Sequence, residues 1–75
     1  MDQSALRARV SRLLLSGALP KTVPEWRVGG PGSGRECRAC LERIATSDLE
    51  VQVDDTLAFH PSCYLVWVEA VRRSA

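Results

Sequence analysis

The three cysteines and the single histidine of this chain fall into one pattern, Cys37-x2-Cys40-x19-His60-x2-Cys63, and none lies outside it. Three thiolates and one imidazole in two close pairs are the ligand set of a tetrahedral structural zinc site. The pattern matters because the chain is short. Its 75 residues make one small domain with some additional chain, and a core of that size contributes only about 3–5 kcal/mol. A structural zinc ion contributes an apparent ~10–16 kcal/mol in zinc-finger peptides. Folding from about Arg35 onward is therefore expected to depend on one Zn2+ held by Cys37, Cys40, His60 and Cys63.

An odd number of cysteines argues against a disulfide scaffold, and CxxC beside HxxC reads as a metal site in a reducing compartment. Arg7, Arg9 and Arg12 interrupt the N-terminal apolar residues, leaving no secretory h-region. The longest apolar run, Cys63 to Val68, is far short of the ~20 residues of a membrane span. The expected location is cytoplasmic, with no membrane partner. The net charge of +1 conceals an asymmetry. Residues 1–35 carry Arg7, Arg9, Arg12, Lys21, Arg27 and Arg35 against Asp2 and Glu25. Residues 36–75 carry Arg38, Arg43, Arg72 and Arg73 against Glu36, Glu42, Asp48, Glu50, Asp54, Asp55 and Glu69. Zinc bound by three thiolates makes the second half about one charge more negative, so an acidic zinc module carries a basic arm.

Ser4 is an expected N-cap and Gly17 an expected terminator of a first helix. Between them Leu6, Val10, Leu13 and Leu14 form one apolar stripe, with Arg7, Arg9 and Arg12 largely off it. The stretch from 18 to 34 holds Pro20, Pro24 and Pro31 and four of the five glycines, and reads as a linker. Trp26 within it is expected to pack onto the domain surface, with Val28 beside it, or to anchor a partner. Gly29 to Gly34 resembles the opening of a phosphate-binding loop, but Arg35-Glu36 stand where Lys and Ser or Thr are required.

The zinc module, residues 35–75, opens with Cys37-Arg38-Ala39-Cys40, expected as a tight turn with its amides aimed at the thiolates. Leu49, Val51 and Val53 alternate with Glu50, Gln52 and Asp54, the pattern of a strand with one wet face. Asp54-Asp55-Thr56 is turn chemistry and Leu57-Ala58-Phe59 the return strand. A last helix runs from about Pro61 to Arg73, with proline at a position where its missing N–H costs nothing. His60 and Cys63, three apart, share one side of its first turn, and the helix dipole favours a thiolate there. Tyr64 to Val71 leave almost no polar face, so the N-terminal helix stripe, a second copy or a partner must cover this helix.

Knuckle, β-hairpin and a helix donating the last two ligands resemble the treble-clef arrangement, implying a small α+β fold. The ligand spacing, Ile44 four residues past Cys40, and Phe59-His60-Pro61-Ser62-Cys63 look like the first zinc half of a LIM domain, although no ligands remain for a second site. The ligand order is also similar to the DNA-break-sensing fingers of poly(ADP-ribose) polymerases. Across roughly residues 29–67 the chain resembles a group of short bacterial zinc proteins. In these a Gly-Gly-Pro-Gly-Ser-Gly stretch runs into CxxC, an acidic hairpin and an HxxC helix bearing Trp. That likeness speaks to fold and is nearly silent on function.

A site with four good ligands has no open position for catalysis, and no second histidine exists for acid–base work. Neither enzymatic activity nor a small-molecule substrate is expected. The favoured expectation is a zinc-held adaptor that binds another protein or a second copy, through Leu6, Val10, Leu14, Trp26, Tyr64, Trp67 and Val71. The alternative is a DNA-binding regulator whose arm lays Arg7, Arg9 and Arg12 on phosphates. Against it, the sequence pI is about 7.7, not the value above about 9 of a dedicated nucleic-acid binder.

Overall fold

The computed structural model describes residues 2–54 and 56–74, Ser74 by its backbone alone; Asp55 of the expected turn lies outside the described residues. Five elements follow in order: α1 (Gln3–Ser16), β1 (Arg27–Pro31), β2 (Leu49–Val53), β3 (Leu57–Phe59) and α2 (Pro61–Ser74). The strands form one antiparallel sheet in the order β1-β2-β3. The fold is a small α+β arrangement of two helices and three strands.

Asp2, not Ser4, caps α1. Its backbone is extended and its side chain accepts the N–H of Ala5 at 2.8 Å. Asp and Ser are comparable caps, and a carboxylate at the positive helix end adds a favourable charge–dipole term that a hydroxyl lacks. Gly17 ends the helix at φ 82°, donating to the Leu14 carbonyl. The N–H of Leu19 then reaches back to the Leu13 carbonyl at 3.1 Å and its side chain is buried, closing the helix end with an apolar contact.

The stretch read as a linker contributes β1, which pairs with β2 so that Val28 faces Gln52 and Gly30 faces Glu50. Its outer edge is open, and Pro31 sits where a strand tolerates a missing donor, on that edge. The next residues stitch the strand to the rest. Gly32 N–H donates to the Asp48 carbonyl at 2.8 Å and Gly34 N–H to that of Ile44 at 3.0 Å. A Cβ on Gly32 would stand 1.9 Å from the Ala45 carbonyl oxygen, so only glycine permits that approach. Gly34, at φ 84°, adopts the left-handed region that glycine enters freely.

Two expectations about this region are corrected. Trp26 and Val28 are 50% and 45% exposed. The Arg27 guanidinium lies 5.9 Å from the Tyr64 ring centroid, which turns Arg27 toward α2 and its strand neighbours to the opposite face. Nor is the even-numbered face of β2 wet, for Glu50 is buried while Leu49 is exposed. The loop after β1 folds over Glu50, whereas Leu49 pairs with exposed Pro31 at the end of the strand.

The core unites Leu6, Val10 and Leu14 of α1 with Val53, Phe59, Tyr64, Trp67 and Val71. Among the elements of the described residues α1 touches α2 alone, while α2 also packs on β2 and β3. Of the three ways to cover α2, the molecule uses its own N-terminal stripe. Phe59 and Trp67 stack with centroids 5.0 Å apart, and Tyr64 meets both edge-on. Trp67 is fully buried because its indole N–H has a partner, the Pro20 carbonyl at 3.0 Å.

Candidate metal centre

Two local structures carry the four ligands. The first is the turn at 37–40. Leu41 N–H donates to the Cys37 carbonyl at 2.9 Å, Cys37 N–H to that of Glu42 at 2.8 Å, and Glu36 bridges to Arg43. Leu41 completes the turn at φ 64°, a region usually left to glycine. Arg38 N–H bonds the Ala58 carbonyl at 2.9 Å, docking the turn on the outer edge of β3. The second is the start of α2, where the His60 carbonyl accepts from Tyr64 N–H at 2.9 Å. His60 thereby stands at the entry and Cys63 in the first turn.

These structures bring one donor atom from each of Cys37, Cys40, His60 and Cys63 within 4.8 Å of one another. Nδ1 of His60 faces the sulfurs, 3.4 Å from Cys40 Sγ and 4.0 Å from Cys63 Sγ. Donors about 2.0–2.3 Å from a tetrahedral ion stand roughly 3.4–3.8 Å apart. The cluster is compatible with a metal ion such as zinc, and Nδ1 is the ring nitrogen turned toward the sulfurs.

The electrostatics suit a cation. The Cys63 thiol, set against the cost of burial and joined by the backbone N–H groups of Cys40, His60 and Ala39, holds Cys37 down to about 4. Cys63, donating to that thiolate, is pushed far up, and burial raises Cys40. Three sulfurs this close cannot all ionise unless positive charge enters among them, which a divalent metal supplies. The cluster borders a depression of about 480 Å³ that also includes Glu42, Asp48 and Leu49.

The remaining residues singled out in the sequence lie elsewhere. Of the seven residues expected to bind a partner, Leu6, Val10, Leu14, Tyr64, Trp67 and Val71 are buried in the intramolecular core and Trp26 is exposed. Arg7 and Arg12 are exposed on α1, while Arg9 is half-buried, its Nε shielded and without a hydrogen-bond partner. Sequence reasoning missed Glu50, whose Oε1 accepts from Ser33 N–H at 3.0 Å and Ser33 Oγ at 2.7 Å. Its place in the alternation argued for solvent, and only the nearby Gly-Ser-Gly could have signalled a loop folding onto it. It also missed Leu15, 82% exposed beside the α1–α2 seam, which stands next to the stripe of Leu6, Val10 and Leu14 and not on it.

Compared with known protein families, curated proteins and solved structures, the chain matches none.

Proposed function

We propose that Cys37, Cys40, His60 and Cys63 hold one structural zinc ion in a treble-clef-like module, and that the module is a non-catalytic adaptor that binds another protein. The observation that carries the reading is the convergence of four donors, each from a separate side chain, on one point. Four protein ligands complete a tetrahedron and leave no position for substrate. The ion then pins the 37–40 turn to the start of α2, and through α2 it positions α1. Binding belongs to what that scaffold displays: the flank of the helix pair with exposed Leu15, and the face with Trp26 and Val28.

Native mass measurement tests the metal, with one zinc per chain expected and removable by chelator. A photo-crosslinking residue in place of Leu15, expressed in cells, tests the binding. A discrete protein adduct at Leu15, and none from a crosslinker at exposed Thr46, is the expected result. Exposed Arg7 and Arg12, which have no anionic partner among the described residues, favour a second reading, binding of duplex DNA. Anisotropy at two salt concentrations separates the two, because phosphate contacts weaken steeply as salt rises.

A further inference from the structure

Beside the α1–α2 contact runs a groove of about 550 Å³. From α1 it receives Arg7, Ser11, Leu14 and Leu15, spaced i, i+4, i+7 and i+8. From α2 it receives Val66, Glu69, Ala70 and Arg73, spaced i, i+3, i+4 and i+7, with Val71 beside them. Each set is one stripe of a helix surface; it shares Leu14 on α1 and Val66 on α2 with the core and extends outward from them to exposed Leu15 and half-buried Ala70. Two helices packed side by side, each turning such a stripe with apolar side chains into one trough, make the seat of a third helix. The trough follows α1 for about 12 Å at 1.5 Å per residue, room for two turns of an occupant.

Charge narrows the occupant. Arg7, Lys21 and Arg73 line the groove against a single carboxylate, Glu69, which Arg73 already engages at 2.7 Å. Arg7 and Lys21 have no anionic partner among the described residues. The helices of a second copy do not complement this rim. α1 carries three arginines and no acid, and α2 exposes Glu69 beside Arg72 and Arg73. Resting on the adaptor reading above, we propose that the α1–α2 groove docks an acidic amphipathic helix of a different protein, its apolar stripe on Leu15 and Ala70 above the buried floor of Leu14 and Val66 and its carboxylates on Arg7 and Lys21.

The test uses the zinc-loaded full chain and three labelled, amidated peptides of about 15 residues, long enough to form a helix on docking. One has leucines at i, i+4 and i+7 flanked by glutamates, one has lysines in place of those glutamates, and one has the acidic composition in scrambled order. Anisotropy should show the acidic peptide binding about tenfold more tightly than either control. Arg7→Glu with Lys21→Glu should reverse the preference toward the lysine peptide, and Leu15→Ser, at a side chain outside the core, should weaken both. Equal binding of all three peptides would overturn the acidic-helix assignment while leaving this face an interaction surface. No peptide binding, with the crosslink at Leu15 retained, would overturn docking of a helix and leave the adaptor reading standing. Loss of both would remove the adaptor reading too. A mass that rises with concentration and returns to monomer in Leu15→Ser would assign the groove to a second copy and overturn the proposal.

Discussion

Leu41 holds its backbone at φ 64° to close the turn that presents Cys37 and Cys40, yet its side chain is 49% exposed. The left-handed conformation costs an L-residue about 1–2 kcal/mol, part of which glycine returns through its freer unfolded chain. Leu41→Gly is expected to stabilise the zinc-loaded protein by about 0.5–1 kcal/mol, seen as a rise of a few degrees in thermal midpoint. Gly32→Ala works in the opposite sense, because the new methyl would overlap the Ala45 carbonyl. It should destabilise by about 1–3 kcal/mol, whereas Gly30→Ala, with nothing within 4 Å of the new Cβ, serves as the neutral control in the same denaturant titration. Glu50 supplies a pH dependence. Burial alone would raise its carboxyl, but the Ser33 hydroxyl and N–H, then Gln52 and Arg35, hold it below its ordinary 4.5. Because the folded value is depressed, the stabilisation is complete above about 4.5 and fades as pH falls through the folded value. Glu50→Gln, which cannot ionise, should lie below the parent in stability at pH 6, with the gap narrowing toward pH 3. A gap constant across that range would mean the carboxylate charge does not matter.

At the scale of elements, what could be read from the sequence divides by whether an element carries its own reason to form. α1 does, with the stripe Leu6, Val10 and Leu14 and a left-handed glycine at its end, and so does α2, with proline at its start. Their stripes have no alternative burial, so Val10→Ala should cost about 1–3 kcal/mol, measured by chemical unfolding in excess zinc, although the substitution lies far from the metal in sequence. β1 carries no such reason. Arg27-Val28-Gly29-Gly30-Pro31 has two glycines and a proline, a composition that disfavours a strand in isolation. It becomes one because β2 offers an open edge and because Gly32, Ser33 and Gly34 are bonded to Asp48, Glu50 and Ile44 in turn. A strand made by its neighbours is invisible to local periodicity. The clustering of Cys37, Cys40, His60 and Cys63 was legible because the chemistry of such donors is set by residue type and spacing. That Nδ1 and not Nε2 faces the sulfurs was not, since ring orientation depends on how α2 meets the turn at 37–40. Leu19 escaped notice for a related reason, because its burial follows from the bond between its N–H and the Leu13 carbonyl and from no pattern in its neighbours.

Across the whole molecule the connections form a chain with the cluster as one link. Of the elements in the described residues α1 packs on α2, α2 meets the cluster through Cys63 and the preceding His60, and the 37–40 turn reaches β3 through Arg38 and Ala58. Without a metal ion the turn and the start of α2 would keep the Arg38–Ala58 bond and the packing of Ala39 in the core but lose the four-ligand link, in a chain whose core supplies about 3–5 kcal/mol. The zinc-loaded protein should therefore unfold when a strong chelator is added in excess and refold when zinc is restored. Trp67 is the reporter, because it lies fully buried against Phe59 with its indole bonded to Pro20. Trp26, half exposed in the folded state, would mask the change, so the measurement belongs in Trp26→Phe. There, chelation should move Trp67 emission to the red and abolish its near-ultraviolet dichroism together, in a single transition. Cys40→Ser, which replaces a half-buried ligand without emptying the core, should shift that transition to lower chelator concentration. Blue-shifted emission that survives full removal of zinc would show that the helix pair and the sheet hold without the ion. The cluster would then be an addition to a fold stable by packing alone, and the dependence inferred from chain length would be wrong.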